Sequence, residues 1–224
     1  EAVAIGLMHA YANDSHERMI ADALLAAMPE LAVCLSSVVS PQMRELPRFN
    51  TVIANAYVRP LVSRYLGRLV DRLAQAGLQS PVFMMHSGGG LMSVADAAEH
   101  PVRLLESGPA GGAIYAASLA RSHGLGSALS FDMGGTTAKI CLIENGTPKT
   151  ATTFEVARTS RFKKGSGMTV STPVVEMVEI GAGGGSIASI DAKGRLRVGP
   201  RSAGSEPGPA GYGRGGAEAT VNDA

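Results

Sequence analysis

Cysteine is scarce in this chain. Cys34 and Cys141 are the only two, neither has a CxxC or Cys/His partner, and a disulfide framework, a structural zinc site or a redox pair is disfavoured accordingly. Each sits inside an apolar, strand-like run and reads as a buried thiol. An excess of charge of one sign is also missing. Twenty Lys and Arg stand against 19 Asp and Glu, for a formal net charge of +1, so there is no basic face for a polyanion and no nucleic-acid partner is expected. Small molecules are the partners this balance favours. No apolar run approaches the roughly 20 residues of a membrane helix, and Glu1-Ala2-Val3-Ala4 lacks a charged segment ahead of an apolar one. The expectation is a cytoplasmic protein without membrane association. HExxH and HxH are absent, and His9, His16, His100 and His123 show no ligand spacing, so no transition-metal site is expected. The chain has no initiator Met and stops after the strand-like start Thr220-Val221-Asn222-Asp223-Ala224, which reads as an internal fragment.

What is present is the composition of a globular enzyme, 45% hydrophobic and 17% charged, the reverse of a disordered chain. Asp14 followed by Glu17 predicts a capping box, and Met19, Ile20, Ala23, Leu24 and Ala27 recur at helical spacing up to Pro29. Leu31 to Val39 has the length of a strand. A second helical pattern runs through Val52, Ile53, Ala56, Tyr57, Leu61, Tyr65, Leu66, Leu69 and Leu73 to a stop at Gly77, with Pro60 expected to kink or split it. A strand at Pro81 to Met85, a glycine turn, a short helix near Val94 to Glu99, a strand at Val102 to Leu105 and a helix from Ala110 to Ser122 follow. That alternation predicts an α/β architecture. From Ser127 the pattern becomes β: Ala128 to Asp132 and Thr137 to Ile143 flank a turn, and Val174 to Ile180, Ser186 to Ile190 and Arg195 to Val198 continue it. A boundary near Gly124 follows, with Gly and Pro dominating beyond Gly199. Arg161, Lys163 and Lys164 form a short basic run, most simply a solvated loop. The ten methionines read as core.

Glycine is concentrated, not dispersed. The clusters are Gly88-Gly89-Gly90, Gly108 to Gly112, Gly134-Gly135 and Gly181 to Gly185. Glycine lets backbone N–H groups approach a ligand with no Cβ in the way, which is how anion-binding turns are made. In Phe131-Asp132-Met133-Gly134-Gly135-Thr136-Thr137 an acidic residue at a strand end precedes a two-glycine turn and two hydroxyls. There Asp132 can hold a magnesium ion through water while the N–H groups of Gly134 to Thr137 and the threonine hydroxyls bind phosphoryl oxygens. An ordinary hairpin with Gly-Gly at its tip contains the same residues, and spacing alone leaves both open. Gly181-Ala182-Gly183-Gly184-Gly185-Ser186 lines a site or is a tight turn between strands. His86, ahead of Gly88, faces a cleft or is a satisfied structural histidine. GxxxxGK[ST] is absent and no GxGxxG leads from a strand into a helix, so Walker-type and dinucleotide folds are disfavoured.

The stretch Ser130 to Lys139 resembles the second phosphate motif of the actin, sugar kinase and Hsp70 ATPase superfamily, and Glu106-Ser107-Gly108-Pro109-Ala110-Gly111-Gly112-Ala113 resembles its first connecting helix. Within that superfamily the chain is similar to the hydantoinase A, 5-oxoprolinase and acetone carboxylase family, through Asn55-Ala56-Tyr57-Val58-Arg59-Pro60, Ser87-Gly88-Gly89-Gly90-Leu91, Glu106 to Gly112, Asp132 to Thr137, Ile180 to Ile187, and Val198-Gly199-Pro200 through Gly208-Pro209-Ala210.

The resemblance implies a partial actin-like (ribonuclease H-like) ATPase fold with a mixed sheet and flanking helices, residues 1–124 closing the first lobe and 125–224 opening the second. It implies ATP and Mg²⁺ as cofactors, with Asp132 as catalytic and metal-positioning residue, and Gly134, Gly135, Thr136, Thr137, Gly183, Gly184 and Gly185 at the nucleotide. The activity it implies is ATP-dependent hydrolysis of a cyclic amide of the hydantoin or 5-oxoproline type through phosphorylation of the carbonyl oxygen. A ketone carboxylase subunit and a non-catalytic nucleotide-sensing or scaffold module are the alternatives. A B-type hydantoinase subunit is the implied partner. Two positions depart from the family pattern: Lys139, where Asp is frequent, and Gly211, where Cys is usual.

Overall fold

The computed structural model describes residues 1–159 and 165–224. In chain order its elements are β1 (Ala2–Ile5), α1 (Ser15–Ala27), β2 (Ala32–Leu35), α2 (Ser36–Val39), α3 (Glu45–Gln75), β3 (Phe83–Met85), β4 (Leu91–Ser93), α4 (Val94–Glu99) and α5 (Ser107–Ser122). Strands then dominate: β5 (Ser127–Met133), β6 (Ala138–Glu144), β7 (Thr147–Pro148), β8 (Thr150–Val156), β9 (Met168–Val175), β10 (Val178–Ile180), β11 (Ser186–Ile190) and β12 (Leu196–Ser202). The architecture is mixed α/β. The chain divides into two compact units, Glu1–Gly111 with Thr150–Val175, and Gly112–Lys149 with Glu176–Ala224. Among the described residues no helix is long and apolar enough to cross a membrane. The basic run Arg161, Lys163, Lys164 lies outside the described residues.

In the first unit β1 and β2 pair in parallel, Ala2 opposite Ala32 and Ile5 opposite Leu35. The long helix α3 buries Arg48, Thr51, Val52, Asn55 and Ala56, positions three and four apart that fall on one helical face. Val52 and Ala56 join Cys34, Val39, Val102 and Val170 in a core flanked by Phe154 and Met168. Those last residues belong to the antiparallel pair β8 and β9, Thr150 opposite Val175 and Val156 opposite Met168, most of which no sequence pattern announced. At the end of α3 the N–H of Leu78 reaches Leu73 O and that of Gly77 reaches Ala74 O, with Gly77 at φ 87°. This is the left-handed stop expected of that glycine.

A polar cluster is buried beside this core. Glu17 is fully enclosed and accepts four hydrogen bonds, from Leu7 N–H at 2.9 Å, Ser36 Oγ at 2.6 Å, Ser37 N–H at 3.0 Å and Ser37 Oγ at 2.7 Å. Burial pushes its carboxyl up, but the Ser36 and Ser37 hydroxyls with the two N–H groups outweigh that and hold it below the usual glutamate range. Arg48, equally enclosed, donates from Nε to Ser36 Oγ at 3.1 Å, from Nη1 to Gln42 O at 3.0 Å and from Nη2 to Leu7 O at 2.8 Å. Ser36 therefore links the acid to the base. The expected capping box is overturned here: Asp14 makes no side-chain cap and pairs with Arg18 at 2.7 Å, because Glu17 is committed to the interior.

Three further expectations are corrected. The inward face of α1 carries Glu17 and Ala21, whereas Met19 is 64% exposed, so the apolar periodicity marked the wrong face. Pro60 does not split its helix, which is continuous from Glu45 to Gln75. Val102 to Leu105 is not a strand but falls largely in a 3₁₀ turn, Pro101–Leu104. There Val102 N–H goes to Asn55 Oδ1 at 3.2 Å and Arg103 O accepts from Ser87 N–H at 2.7 Å, so partners distant in sequence replace a ladder.

In the second unit β6 is central, with β5 on one edge and β10 on the other, and β7 also pairing with β6. Ala117 and Ala120 of α5 pack on Ile143 of β6. Cys141, like Cys34, is a buried free thiol, and burial pushes its pKa up. Strands β11 and β12 form a separate antiparallel pair, Ile190 opposite Leu196. The strand character of β12 persists to Ser202, past the Gly199 at which a loop was expected.

Candidate functional site

Strands β5 and β6 form a regular antiparallel hairpin, from Ser127 opposite Glu144 up to Asp132 opposite Lys139 and Met133 opposite Ala138. The turn at its tip is closed by Gly134 N–H donating to Thr137 O at 2.9 Å. Beyond that bond the tip is open. Among the described residues nothing accepts from the N–H groups of Gly135, Thr136 and Thr137, and Asp132 makes no hydrogen bond or ion pair. Asp132, Gly134, Gly135 and Thr136 are all exposed. Three unengaged donors beside one carboxylate form a turn that can receive an anion.

The second glycine cluster works differently. Gly184 N–H donates to Gly134 O at 2.9 Å and Gly185 N–H to Gly135 O at 2.8 Å, while Gly183 N–H is taken by Ser186 Oγ at 2.8 Å. All three glycines are buried, and Gly184 and Gly185 direct their donors into the back of the hairpin tip. A Cβ on Gly183 would stand 2.5 Å from Gly134 O and 2.6 Å from Thr136 N, so only glycine allows that approach. The support extends one layer further. Asn222 N–H donates to Gly184 O at 2.9 Å and Asn222 Nδ2 to Tyr212 Oη at 2.9 Å. The Gly/Pro-rich tail thus braces the loop that braces the hairpin.

Glu179, which sequence reasoning passed over, joins the row at the hairpin. Lys139 lies opposite Asp132 in β5 and opposite Glu179 in β10, so the three alternate in sign along one face of the sheet. Two strand spacings separate the carboxylates by about 10 Å, too far to chelate one ion. Among the described residues no group of three or more His, Cys, Asp or Glu side chains converges as a metal site. What fits Asp132 is a hydrated Mg²⁺, an ion that keeps several waters and takes one or two carboxylates plus phosphate oxygens. At the other departure, Gly211 donates its N–H to Asp223 Oδ1 at 2.6 Å, and a Cβ there would lie 2.9 Å from that oxygen. The hydrogen bond from Gly211 N–H, with those from Thr220, holds the Asp223 carboxyl below its usual range.

Two other signature stretches are placed in the first unit. Asn55 is fully buried, donating to Glu99 O at 3.0 Å and accepting from Val102 N–H at 3.2 Å. Arg59 donates to Val33 O at 2.7 Å. Both hold α3 to its neighbours. His86 accepts from Gly88 N–H on Nδ1 at 3.1 Å, with the glycine loop folded around its ring, so one nitrogen is satisfied structurally.

This chain resembles proteins of known structure and sequence along its whole length. It is 39% identical over 227 residues to an uncharacterised protein of Methanocaldococcus jannaschii and 38% identical over 224 residues to caprolactamase subunit alpha of Pseudomonas jessenii, covering all of this chain and 33% and 31% of those proteins. The crystal structure of ATP-dependent caprolactamase from Pseudomonas jessenii superposes with a TM-score of 0.77 at 36% identity, and nucleotide-free acetone carboxylase with 0.76 at 27%, each covering all of this chain and 31% of the other. The chain therefore spans about a third of the length of these relatives. The family described as Hydantoinase/oxoprolinase matches residues 48–224, and with the glycine-braced hairpin lying inside that span, the chain belongs to the hydantoinase/oxoprolinase family.

Proposed function

We propose that this chain is the phosphate-binding portion of an ATP-dependent enzyme that hydrolyses a cyclic amide. The observation that carries the reading is the hairpin tip, where among the described residues the N–H groups of Gly135, Thr136 and Thr137 are unengaged beside an unpartnered Asp132. Its support from relatives is that an ATP-dependent caprolactamase, acting on a cyclic amide, is 36% identical in structure-based comparison. In this reading the chain is part of an actin-like ATPase, residues 1–124 belonging to its first lobe and 125–224 to its second. Mg-ATP, when bound, would supply the phosphoryl group for the substrate's carbonyl oxygen, with ADP as the leaving group, which opens the carbonyl carbon to attack by water. The N–H groups of Gly135 to Thr137 hold phosphate oxygens, and the threonine hydroxyls add donors. Asp132 orients water on the metal. Gly183, Gly184 and Gly185 keep the tip in shape from behind, with their N–H groups engaged within the chain. A B-type subunit completing the reaction is the expected partner; the caprolactamase relative is itself an alpha subunit.

The likeness to acetone carboxylase supports a second reading, ATP-dependent activation of a ketone for carboxylation. It uses the same hairpin in the same way, and the higher identity to caprolactamase favours the amide.

Calorimetric titration of Mg-ATP into the complete protein, with and without Asp132→Ala, tests the assignment. A loss of about tenfold or more in affinity on substitution is expected. Binding indifferent to Asp132 would replace this reading by a non-catalytic nucleotide-sensing or scaffold module.

A further inference from the structure

The first unit contains a cleft of about 340 Å³ whose walls include Ser40, His86, Leu91, Met92, Arg103 and Thr172. Its hydrogen-bonding capacity is lopsided. Four carbonyls at or beside it are already engaged: Ser171 O accepts from Ser40 Oγ at 3.3 Å, Pro173 O from Ser87 Oγ at 2.9 Å, Arg103 O from Ser87 N–H at 2.7 Å, and Gly90 O from His86 N–H at 2.9 Å. The donors are not. Among the described residues the guanidinium of Arg103 has no hydrogen bond or ion pair, and no Asp or Glu lines the cleft. Gly88 N–H donates to His86 Nδ1 at 3.1 Å, which leaves the proton of a neutral ring on Nε2 as a further donor. The ring is also held in place: a Cβ on Gly90 would lie 2.5 Å from Nε2 and one on Gly88 3.0 Å from Cε1. Glycines at both positions therefore let the loop close over the imidazole.

A concave site with one held imidazole, one cation, no acidic residue in its lining and an apolar wall of Leu91 and Met92 matches a ligand with an anionic head and a short hydrocarbon body. We propose that this cleft binds a small aliphatic or alicyclic monocarboxylate, its carboxylate on Arg103 and His86 and its carbon skeleton against Leu91 and Met92. A planar carboxylate suits the guanidinium fork. A phosphate would find a single cation and leave the apolar wall uncovered. The site lies in the first unit and is argued from its own residues, so it does not rest on the ATP reading.

Butyrate is the probe, with butyramide and inorganic phosphate as comparison arms, titrated into the chain while the His86 ring and the amides of residues 86–92 are followed by NMR. A ligand of this size is expected to bind in roughly the millimolar range. The expected result is saturable shifts at His86 with butyrate, affinity at least about tenfold weaker for butyramide, and a similar loss in Arg103→Gln. Arg103→Lys, which keeps the charge and loses the fork, is expected to fall between them, and an unchanged thermal midpoint in both variants shows that the cleft has not unfolded. No saturable shift at roughly 100 mM butyrate, equal binding of butyrate by Arg103→Gln, or tighter binding of phosphate than of butyrate overturns the proposal.

Discussion

Glu17 and Asp132 are both carboxylates that the sequence puts in a motif, and the two regions that hold them treat them in opposite ways. In the first unit Glu17 is enclosed and accepts four hydrogen bonds. In the second, Asp132 is exposed and accepts none among the described residues. A buried charge persists only where donors offset its desolvation, so Glu17 has no capacity left for a ligand and its role is to hold β1, α1 and α2 together. Asp132 is in the reverse condition. Among the described residues no donor bonds to it, and its position beside three N–H groups that are unengaged among those residues is what makes the hairpin a candidate site. The difference separates an anchor from a site by what each group has left to offer, not by residue type.

The strongest test of this contrast removes the anchor. Glu17→Ala leaves Ser36, Ser37 and two N–H groups without their acceptor and leaves Arg48 enclosed without the linked negative charge. A loss of about 3–5 kcal/mol is expected, as when one member of a buried charged network is deleted. Urea unfolding followed by circular dichroism measures it. A loss below about 1 kcal/mol would mean that water replaces the carboxylate at little cost, and the anchor role would fall.

Next comes the brace behind the hairpin. Gly183→Ala puts a Cβ against Gly134 O, Gly135 C and Thr136 N, all backbone atoms at 2.5–2.7 Å, which cannot swing aside as a flexible side chain can. A cost of about 1–3 kcal/mol is expected, together with amide shifts at 134–137. Gly112→Ala on α5, where nothing lies within 4 Å of the added methyl, is the control and should stabilise by about 0.5–1 kcal/mol. If the two variants behave alike, the close approach of the glycine loop to the hairpin is not a determinant of its shape.

A smaller effect is expected in acid. Glu17 titrates below its usual range, and Asp191 is brought down to about 2, chiefly by the Arg195 N–H and then by the Arg197 and Arg195 side chains. A carboxylate whose folded pKa is depressed contributes stability that is present above its unfolded pKa and is lost as pH falls through the folded one. The thermal midpoint should therefore hold as far as these groups are concerned down to about pH 4 and drop between there and pH 2. Asp191→Asn and Glu17→Gln should each flatten that fall. A midpoint in either variant that follows the parent curve throughout would remove that group from the account.

How far these features could be read from the sequence depends on whether their cause was local. The hairpin from Ala128 to Ile143, the stop at Gly77 and helix α4, with Ser93 Oγ capping Asp96 N–H at 3.0 Å, follow from neighbours within a few residues and were legible. Glu17 was misread because its partners Ser36 and Ser37 are about twenty positions away, whereas the capping signature is local. The 3₁₀ turn at Pro101–Leu104 was read as a strand because its partner groups come from Asn55 and Ser87. At the site, Asp132 and the 134–137 turn were named from the sequence, but the role of Gly183 to Gly185 as a brace and the placement of Glu179 beyond Lys139 are products of strand register, which no spacing within either segment encodes.

The smallest expected effect is the most discriminating. Asp132→Asn keeps the shape of the side chain and removes its charge at a position where, among the described residues, no donor depends on it. Stability should change by no more than about 0.5 kcal/mol, as for surface substitutions away from any network. Removal of like charge from the row shared with Glu179 even favours a slight gain, opposed by the loss of attraction to Lys139 across the ladder. A loss above about 1 kcal/mol would place Asp132 in the same class as Glu17, holding its own hairpin together. A flat response, measured by the same urea unfolding as Glu17→Ala, would leave a carboxylate that the fold does not need, and the reason for its presence would then have to be what it meets in solution.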